Sequence, residues 1–435
     1  MSSPRPRLTA SHTGTPVPPP HVDGPAGAGA YVAPPATVVA PVPADRRAIA
    51  PDVARGLALL GIAIANSAIH LSGGTVGLGS RPVDASTLDR VVNGVVSLFV
   101  DRRTMPMFAL LYGYGIGVVV RRRASAWVPW PACRADLLRR AGALIAFGAV
   151  HLVLLFEGDI LAAYGLAGLL AVAFVRASDR ALLITAALVL PLGGLLTGAM
   201  ESLVLVVDSF GAQGALDVPA TDSVGMALLV RITSGVFIAP LGAVIALPLI
   251  LLGLWAARRE ILERPADHVR LLRRTALVGL AVSVVGAVPF ASAVAGLRTP
   301  SAGDAFWSAT AHLMTGAAGG VAFAALVGWV VAARGATTAT LGPATRALRA
   351  VGARSLTCYL LQSVLFVLPL APWAGGLGSS LGTAQVAAWA LGVWLVTVAV
   401  AVALDAAGRR GPAEWLYRRM VYRRSPSAPV APATA

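Results

Sequence analysis

The stretch FGAVHLVLLFEGDILAAYG, residues 147–165, reads as the end of one apolar run and the start of another, yet it holds His151, Glu157 and Asp159. What those three groups mean depends on what surrounds them. Hydrophobic residues make up 57% of the 435 positions, charged residues 13%, and the mean hydropathy is +0.75. Soluble domains carry about 25% charged residues, so most of this chain is not built to face water. A helix needs about 20 apolar residues to cross a bilayer. Runs of that kind fall at 55–71, 102–120, 140–156, 159–175, 181–200, 236–257, 275–297, 309–332, 355–373 and 384–404. The pattern predicts an all-α fold: a polytopic transmembrane helical bundle of about ten spans, with the lipid bilayer as its first partner.

The net charge of +15 raises the question of nucleic acid, and the distribution of the charge answers it. With ten spans and a cytoplasmic N-terminus, the segments on the inner side sum to +19 and those on the outer side to −5, while Asp101-Arg102-Arg103 adds +1. Arginine concentrated beside one set of helix ends is the positive-inside bias, and such clusters also meet anionic headgroups. The charge therefore sets topology, with both termini cytoplasmic in the plasma membrane, and no nucleic-acid partner is expected. Every basic residue is Arg, which excludes Schiff-base and lysine-base chemistry. Cys133 and Cys358 lack metal-ligand spacing and read as structural; no metal and no bound cofactor are expected.

Residues 1–45 are rich in Pro and Ala and read as a disordered cytoplasmic tail, as do residues 425–435. Between them lie an N-terminal transmembrane half, 46–235, that carries the polar groups, and a C-terminal half, 236–424. The apolar segment 88–100 is expected at the outer interface ahead of the second span. Residues 411–424, GPAEWLYRRMVYRR, suit an amphipathic helix on the inner leaflet. The glycines of YGYGIG, 112–117, fit close helix packing.

Ionisable groups inside spans are costly and usually face a partner or an internal cavity. His70, His151 and His312 all fall in the outer half of the predicted bundle, at the level of Asn66, Asp101, Arg102, Arg103, Glu157, Asp159 and Asp304. A single polar layer is expected. Asn66 and His70 are four residues apart and share a helix face, and Arg55 continues their stripe three turns toward the cytoplasm. Plainer roles compete: an intramembrane His can be interhelical glue, Asp159 can cap the following helix, and Arg102 and Arg103 can be interface anchors.

RRAGALIAFGAVHLVLLFEGDILAAYGLAGLL (139–170), RGLALLGIAIAN (55–66), DRRTMPMFALLYGYGIG (101–117), GARSLTCYLLQSVLF (352–366) and GPAEWLYRRMVY (411–422) together resemble the YeiB-like family of bacterial integral membrane proteins. The last two look like that family's second signature, a C-terminal domain of unknown function. One departure is Cys358, where family members commonly place Asn. The family is distantly similar to ten-span membrane acyltransferases, which implies acyl-CoA as a cytoplasmic co-substrate and an acceptor, a small molecule or a glycan, on the other face.

The residue types suit that chemistry. Acyl transfer needs a general base near neutral pH, which His supplies, an orienting carboxylate and donors for the developing oxyanion. His151 is the favoured base, oriented by Glu157 or Asp159, with His70 the second candidate. Asn66, Arg102 and Arg103 are candidates for holding the acyl carbonyl or acceptor, and Arg55 for the CoA pyrophosphate. The rival reading is a small-molecule transporter or exporter using the same polar layer. Nothing in the sequence speaks to oligomeric state.

Overall fold

The computed structural model describes residues 48–209, 222–337 and 339–422. The two expected tails, Arg423 and Arg424, and the middle of the outer segment 201–231 lie outside the described residues. Thirteen α-helices account for most of what is described: α1 Ile49–Ser67, α2 Thr87–Phe99, α3 Thr104–Ser125, α4 Trp130–Leu154, α5 Leu161–Phe174, α6 Asp179–Ser209, α7 Val224–Arg258, α8 Val269–Val294, α9 Ala302–Ala333, α10 Pro343–Ala353, α11 Ser355–Leu370, α12 Thr383–Ala406 and α13 Pro412–Val421. Among the described residues there is no strand, only an isolated bridge between Val76 and Pro82. The protein is a polytopic helical bundle.

All ten apolar runs fall on helices. Eight helical stretches are long and apolar enough to cross a membrane, or nine if the bent pair α10–α11 counts as one span. The pair turns by 87° at Arg354. Helix α5 has 14 residues, a rise of about 21 Å against a hydrocarbon core of about 30 Å. Helix α7 runs unbroken across residues 235 and 236, so the two expected halves share it.

Helix α2 forms from the apolar segment 88–100 that precedes the second span. It exposes Leu88, Val91, Val95 and Phe99 and buries Asn93, Val96 and Ser97. Its polar side thus faces the protein and its apolar side faces outward. Its first turn is closed by a capping box between Ser86 and Asp89, and Asp89 also accepts the Ala384 amide at 2.7 Å, tying α2 to the start of α12. Asp304, expected in the polar layer, closes the same kind of box with Ser301 at the start of α9.

Helix α8 packs along α9, α9 along α6, α3 along α7, and α1 against α10 and α12. One contiguous core runs through α1, α3, α5, α7 and α9, and a smaller one joins Ala63 to Phe366 and Leu370 of α11 and to Val386, Ala390 and Val393 of α12. The α3–α7 contact is made by reciprocal glycines: a Cβ at Gly113 would overlap the Ile250 carbonyl, and a Cβ at Gly253 would overlap the Leu110 carbonyl. Small residues let the backbones meet where lipid offers no hydrophobic drive for association. Cys133 lies buried in the first turn of α4, and α13 exposes Trp415, Leu416 and Met420 along one side.

Gly253→Ala is expected to lower thermal stability in detergent by about 1–3 kcal/mol, the usual cost of overpacking. Gly142→Ala on α4, where a Cβ meets nothing within 4 Å, should be neutral or stabilising because Ala favours helix over Gly. Equal melting temperatures for the two variants would contradict the packing argument.

Candidate functional site

Helix α4 stops two turns after Gly148, where the amides of Leu155 and Phe156 both converge on the His151 carbonyl at 2.8 and 3.0 Å. The turn 155–160 then folds back so that α5 starts against the end of α4. Gly148 permits this: a Cβ there would overlap the Ala162 amide nitrogen and sit 2.6 Å from Asp159 Oδ2. Asp159 uses one oxygen, Oδ2, to accept the Ala162 amide at 2.6 Å, capping the first turn of α5. Its other oxygen, Oδ1, lies 2.8 Å from His151 Nδ1. The cap expected as a competing role and the imidazole partner expected for function belong to one carboxylate.

On the far side of the ring, His151 Nε2 lies 2.7 Å from Ser363 Oγ. An ionised carboxylate only accepts hydrogen bonds, so with Asp159 ionised the tautomer that satisfies both contacts has the proton on Nδ1 and leaves Nε2 to receive the Ser363 hydroxyl. That hydroxyl could instead turn back to the Tyr359 carbonyl one turn earlier, but the oxygen is 3.5 Å away, against 2.7 Å to the ring. The result is a chain Asp159–His151–Ser363 across α5, α4 and α11, with the His and Asp side chains wholly shielded from solvent. Ser363 was not among the residues singled out from the sequence. It stands 212 positions from His151, and a lone Ser in an apolar helix normally hydrogen-bonds its own backbone.

Helix α11 is held at its N-terminus from α13. The Leu356 and Thr357 amides donate to Glu414 Oε1 at 2.8 and 3.0 Å, and the Thr357 hydroxyl donates to Oε2. Arg354 donates to Asp405 at 2.9 Å and to the Arg409 carbonyl at 2.7 Å. These contacts join the GARSLTCYLLQ and GPAEWLYRRM segments and fix the depth of Ser363, eight residues into α11 and so about 12 Å from its first residue. Tyr359 packs with its ring centroid 5.0 Å from that of His151, and its hydroxyl accepts the Ile160 amide at 3.4 Å.

His70 belongs to the same neighbourhood. It stacks on Phe366, one turn beyond Ser363, at 4.8 Å, and meets Phe156 at 5.1 Å; Phe156 in turn stands edge-on to His151 at 6.3 Å. Asn66 is buried one turn before His70. Glu157 does not reach His151. It lies 3.7 Å from Arg231, which also donates to the Leu154 carbonyl at 3.2 Å and covers the Trp373 ring at 5.3 Å. Partial burial pushes the Glu157 carboxyl above the ordinary carboxylate range, with the Arg231 charge opposing the shift. Of the two carboxylates left open by the sequence, the geometry pairs Asp159 with the imidazole.

The groups expected at one level form two clusters built on different helices. Arg102 pairs with Glu201 at 3.4 Å, and Arg103 with His312 and three backbone carbonyls between α2, α8 and α9. The consecutive arginines follow the break that ends α2, and their own contacts draw them to these partners. At the other end of α1, Arg55 donates to Asp52 and to the Leu111 carbonyl, each at 3.1 Å.

Fold and site together define a multi-pass helical membrane protein with an Asp–His–Ser chain inside the bundle. Residues 256–424 match the family model described as Protein of unknown function (DUF418), so the C-terminal region carries a DUF418 domain; the resemblance to the YeiB-like family fits it. Over 144 residues the chain is 30% identical to the uncharacterized protein YxaH of Bacillus subtilis (strain 168). That match takes in 31% of this chain and 34% of the relative, so the chain spans about a third of the length of the curated relative it matches. No solved structure matches the chain. Ser363 lies inside the DUF418 region, while His151 and Asp159 lie outside it.

Asp159→Ala removes both the helix cap and the imidazole partner, whereas Asp159→Asn keeps an oxygen for the Ala162 amide. Thermal unfolding in detergent should therefore rank wild type above Asn, and Asn above Ala by about 1 kcal/mol. Identical losses in the two variants would show that the cap contributes nothing.

Proposed function

We propose that this protein is a membrane acyltransferase that moves an acyl group from cytoplasmic acyl-CoA to a small-molecule or glycan acceptor on the outer face of the plasma membrane. The observation that carries the reading is the Asp159–His151–Ser363 chain, in which each imidazole nitrogen has the partner that nucleophilic catalysis requires. In the first half-reaction Ser363 Oγ attacks the thioester carbonyl while His151 Nε2 takes the hydroxyl proton. The C–S bond breaks, His151 returns the proton to the CoA sulfur, and the acyl group rests on Ser363 as an ester. In the second, an acceptor hydroxyl or amine loses its proton to His151 as it attacks that ester, and Ser363 leaves with the proton. Asp159 stabilises the imidazolium in both halves and stays ionised.

The depth of Ser363, about 12 Å into its helix, suits a group that receives its donor from one face of the membrane and its acceptor from the other. Asn66 is the donor assigned to the acyl carbonyl and His70 to the acceptor side, where it packs beyond Phe156 and Phe366. Arg55 is assigned to the CoA pyrophosphate. Arg102 and Arg103, engaged elsewhere, take no part in this step. Orientation follows the charge bias: α1 begins and α13 lies on the cytoplasmic side. Cysteines introduced at Ser178 and Gly376 test it in intact cells, with labelling by an impermeant thiol reagent expected at 376 and not at 178. The reverse pattern would invert the topology.

A second reading is favoured by one observation, the complete enclosure of the His151 and Asp159 side chains. Such a pair also suits a proton site in a transporter. The two readings separate at Ser363. Wild-type protein incubated with radiolabelled acyl-CoA should hold label in an alkali-labile linkage, and Ser363→Ala should hold none. His151→Gln and Ser363→Ala should each lower thiol release from acyl-CoA by roughly 100-fold or more with near-normal melting temperatures. Unchanged thiol release in both variants, together with proton-coupled flux in proteoliposomes that His151→Gln abolishes, would establish the transporter reading instead.

A further inference from the structure

A second polar centre lies beneath α2, formed with α3, α8 and α9, and the acyl-transfer reading makes no use of it. Its focus is Arg103, whose residue surface is 1% exposed. The guanidinium donates to the carbonyls of Ser97 at 3.0 Å, Asp101 at 2.5 Å and Ser283 at 2.9 Å, and lies 3.3 Å from His312 Nε2. No carboxylate is among these partners, because Asp101 gives its carboxylate to buried Arg81 at 2.8 Å. With Arg102 held by Glu201, the group has three arginines and two carboxylates. The Asp101 charge acts on Arg103 as well as on Arg81, so one carboxylate serves two buried arginines; excess charge is costly in a low-dielectric interior, and the cluster is one anion short of balance.

The polar atoms around Arg103 point the same way. Both side-chain atoms of Asn93, Ser97 Oγ, Ser283 Oγ, His312 Nδ1, and Nε and Nη1 of Arg81 are buried without a hydrogen-bond partner among the described residues. They converge. Ser97 and Ser283 each bond Arg103 through their carbonyls, Asn93 precedes Ser97 by one turn of α2, and Ser283 Oγ and Arg103 Cγ both crowd the bare Cα of Gly319. Buried polar groups in native structures are paired as a rule, and an unpaired set made mostly of donors beside an unbalanced arginine is the complement of an oxyanion.

We infer that the Arg103 cluster is a binding site for a phosphate-type oxyanion, entered at the break between α2 and α3. The unpaired donor atoms, Arg81 Nε and Nη1, Asn93 Nδ2 and the two serine hydroxyls, outnumber the two oxygens of a carboxylate and suit the larger acceptor set of a phosphate. The entrance is marked by Arg102, which holds the left-handed conformation at φ 60°. That turn sends the Arg102 side chain toward the surface, where it is 37% exposed beside Glu201, while Arg103 points inward. Helix α2 forms the cover, with its lipid-facing side apolar and its polar side over the site. The ligand is either a soluble phosphate or the phosphate of a phospholipid headgroup that enters laterally past α2.

The test uses the full chain in a maltoside detergent, which contains no phosphate. Thermal unfolding is followed with inorganic phosphate against chloride at equal ionic strength, and separately with added phosphatidylglycerol, counting retained lipid by native mass spectrometry. Wild type should be stabilised by at least one of the two beyond the chloride control. Stabilisation by phosphate alone identifies a soluble oxyanion, and by the lipid alone a headgroup; either supports the site. The double variant Ser97→Ala/Ser283→Ala should bind at least tenfold more weakly, while its ligand-free melting temperature is equal to or above wild type, because removing unpaired buried hydroxyls relieves a desolvation cost. Asn93→Leu tests the same site if the double variant cannot be recovered. The inference is overturned if neither ligand stabilises wild type, if the variants respond as wild type does, or if acetate stabilises as well as phosphate. Because the readout is stability and lipid retention, failure here leaves the acyl-transfer reading untouched, and the converse holds as well.

Discussion

The carboxylate of Asp159 is where the architecture and the chemistry of this protein meet. One oxygen closes the first turn of α5 through the Ala162 amide, and the other holds His151 by Nδ1. In an apolar interior neither obligation can be passed to water. A free helix N-terminus leaves its first amides unpaired, and an unoriented imidazole has no reason to present one nitrogen rather than the other. Because a single group meets both needs, the position of α5 against α4 and the orientation of the His151 ring are set together. Gly148 completes the constraint by letting the two helices come close enough for the carboxylate to reach both.

Ser363 inherits this order from the other end of the chain. Its helix is capped by Glu414 from α13 and tethered through Arg354 to Asp405 and Arg409, contacts that lie near the opposite end of α11 from the aromatic group of Phe366, Phe156 and His70. The depth of the hydroxyl in the bundle is therefore governed by polar contacts at one helix end, and its direction by the imidazole. The DUF418 region supplies the serine and its supports; the N-terminal helices supply the base and the acid that orients it. Neither part holds the full chain of three.

The bundle was legible in the sequence because the signal is dense: each of the ten apolar runs is a helix, and the glycines of 112–117 mark a real close approach at Gly113. His151 and Asp159 were legible too, since an ionisable group in an apolar run must have a partner and the two stand eight residues apart. Glu157 and Asp159 could not be ranked from spacing, because which of them faces the ring depends on the path of the turn 155–160. Ser363 carried no sequence signal; its meaning arises only when α11 is placed against α4. That these groups divide into two clusters was hidden for a related reason. Predicted depth is one coordinate of three, and groups at similar depth fell on helices that do not share a face.

Helix α2 shows what composition leaves open about surface. Its pattern of alternating apolar and polar positions is the same whichever side faces solvent, and amphipathicity does not say which solvent that is. Packed against the rest of a membrane bundle, the polar stripe turns inward and must find partners there. Here it turns inward, and Asn93 and Ser97 meet a buried arginine whose charge is not balanced by the carboxylates around it. The same physics that makes Asp159 serve two partners at once leaves the group around Arg103 with too few. In a medium without water, a saturated polar group fixes structure, and an unsaturated one calls for a ligand.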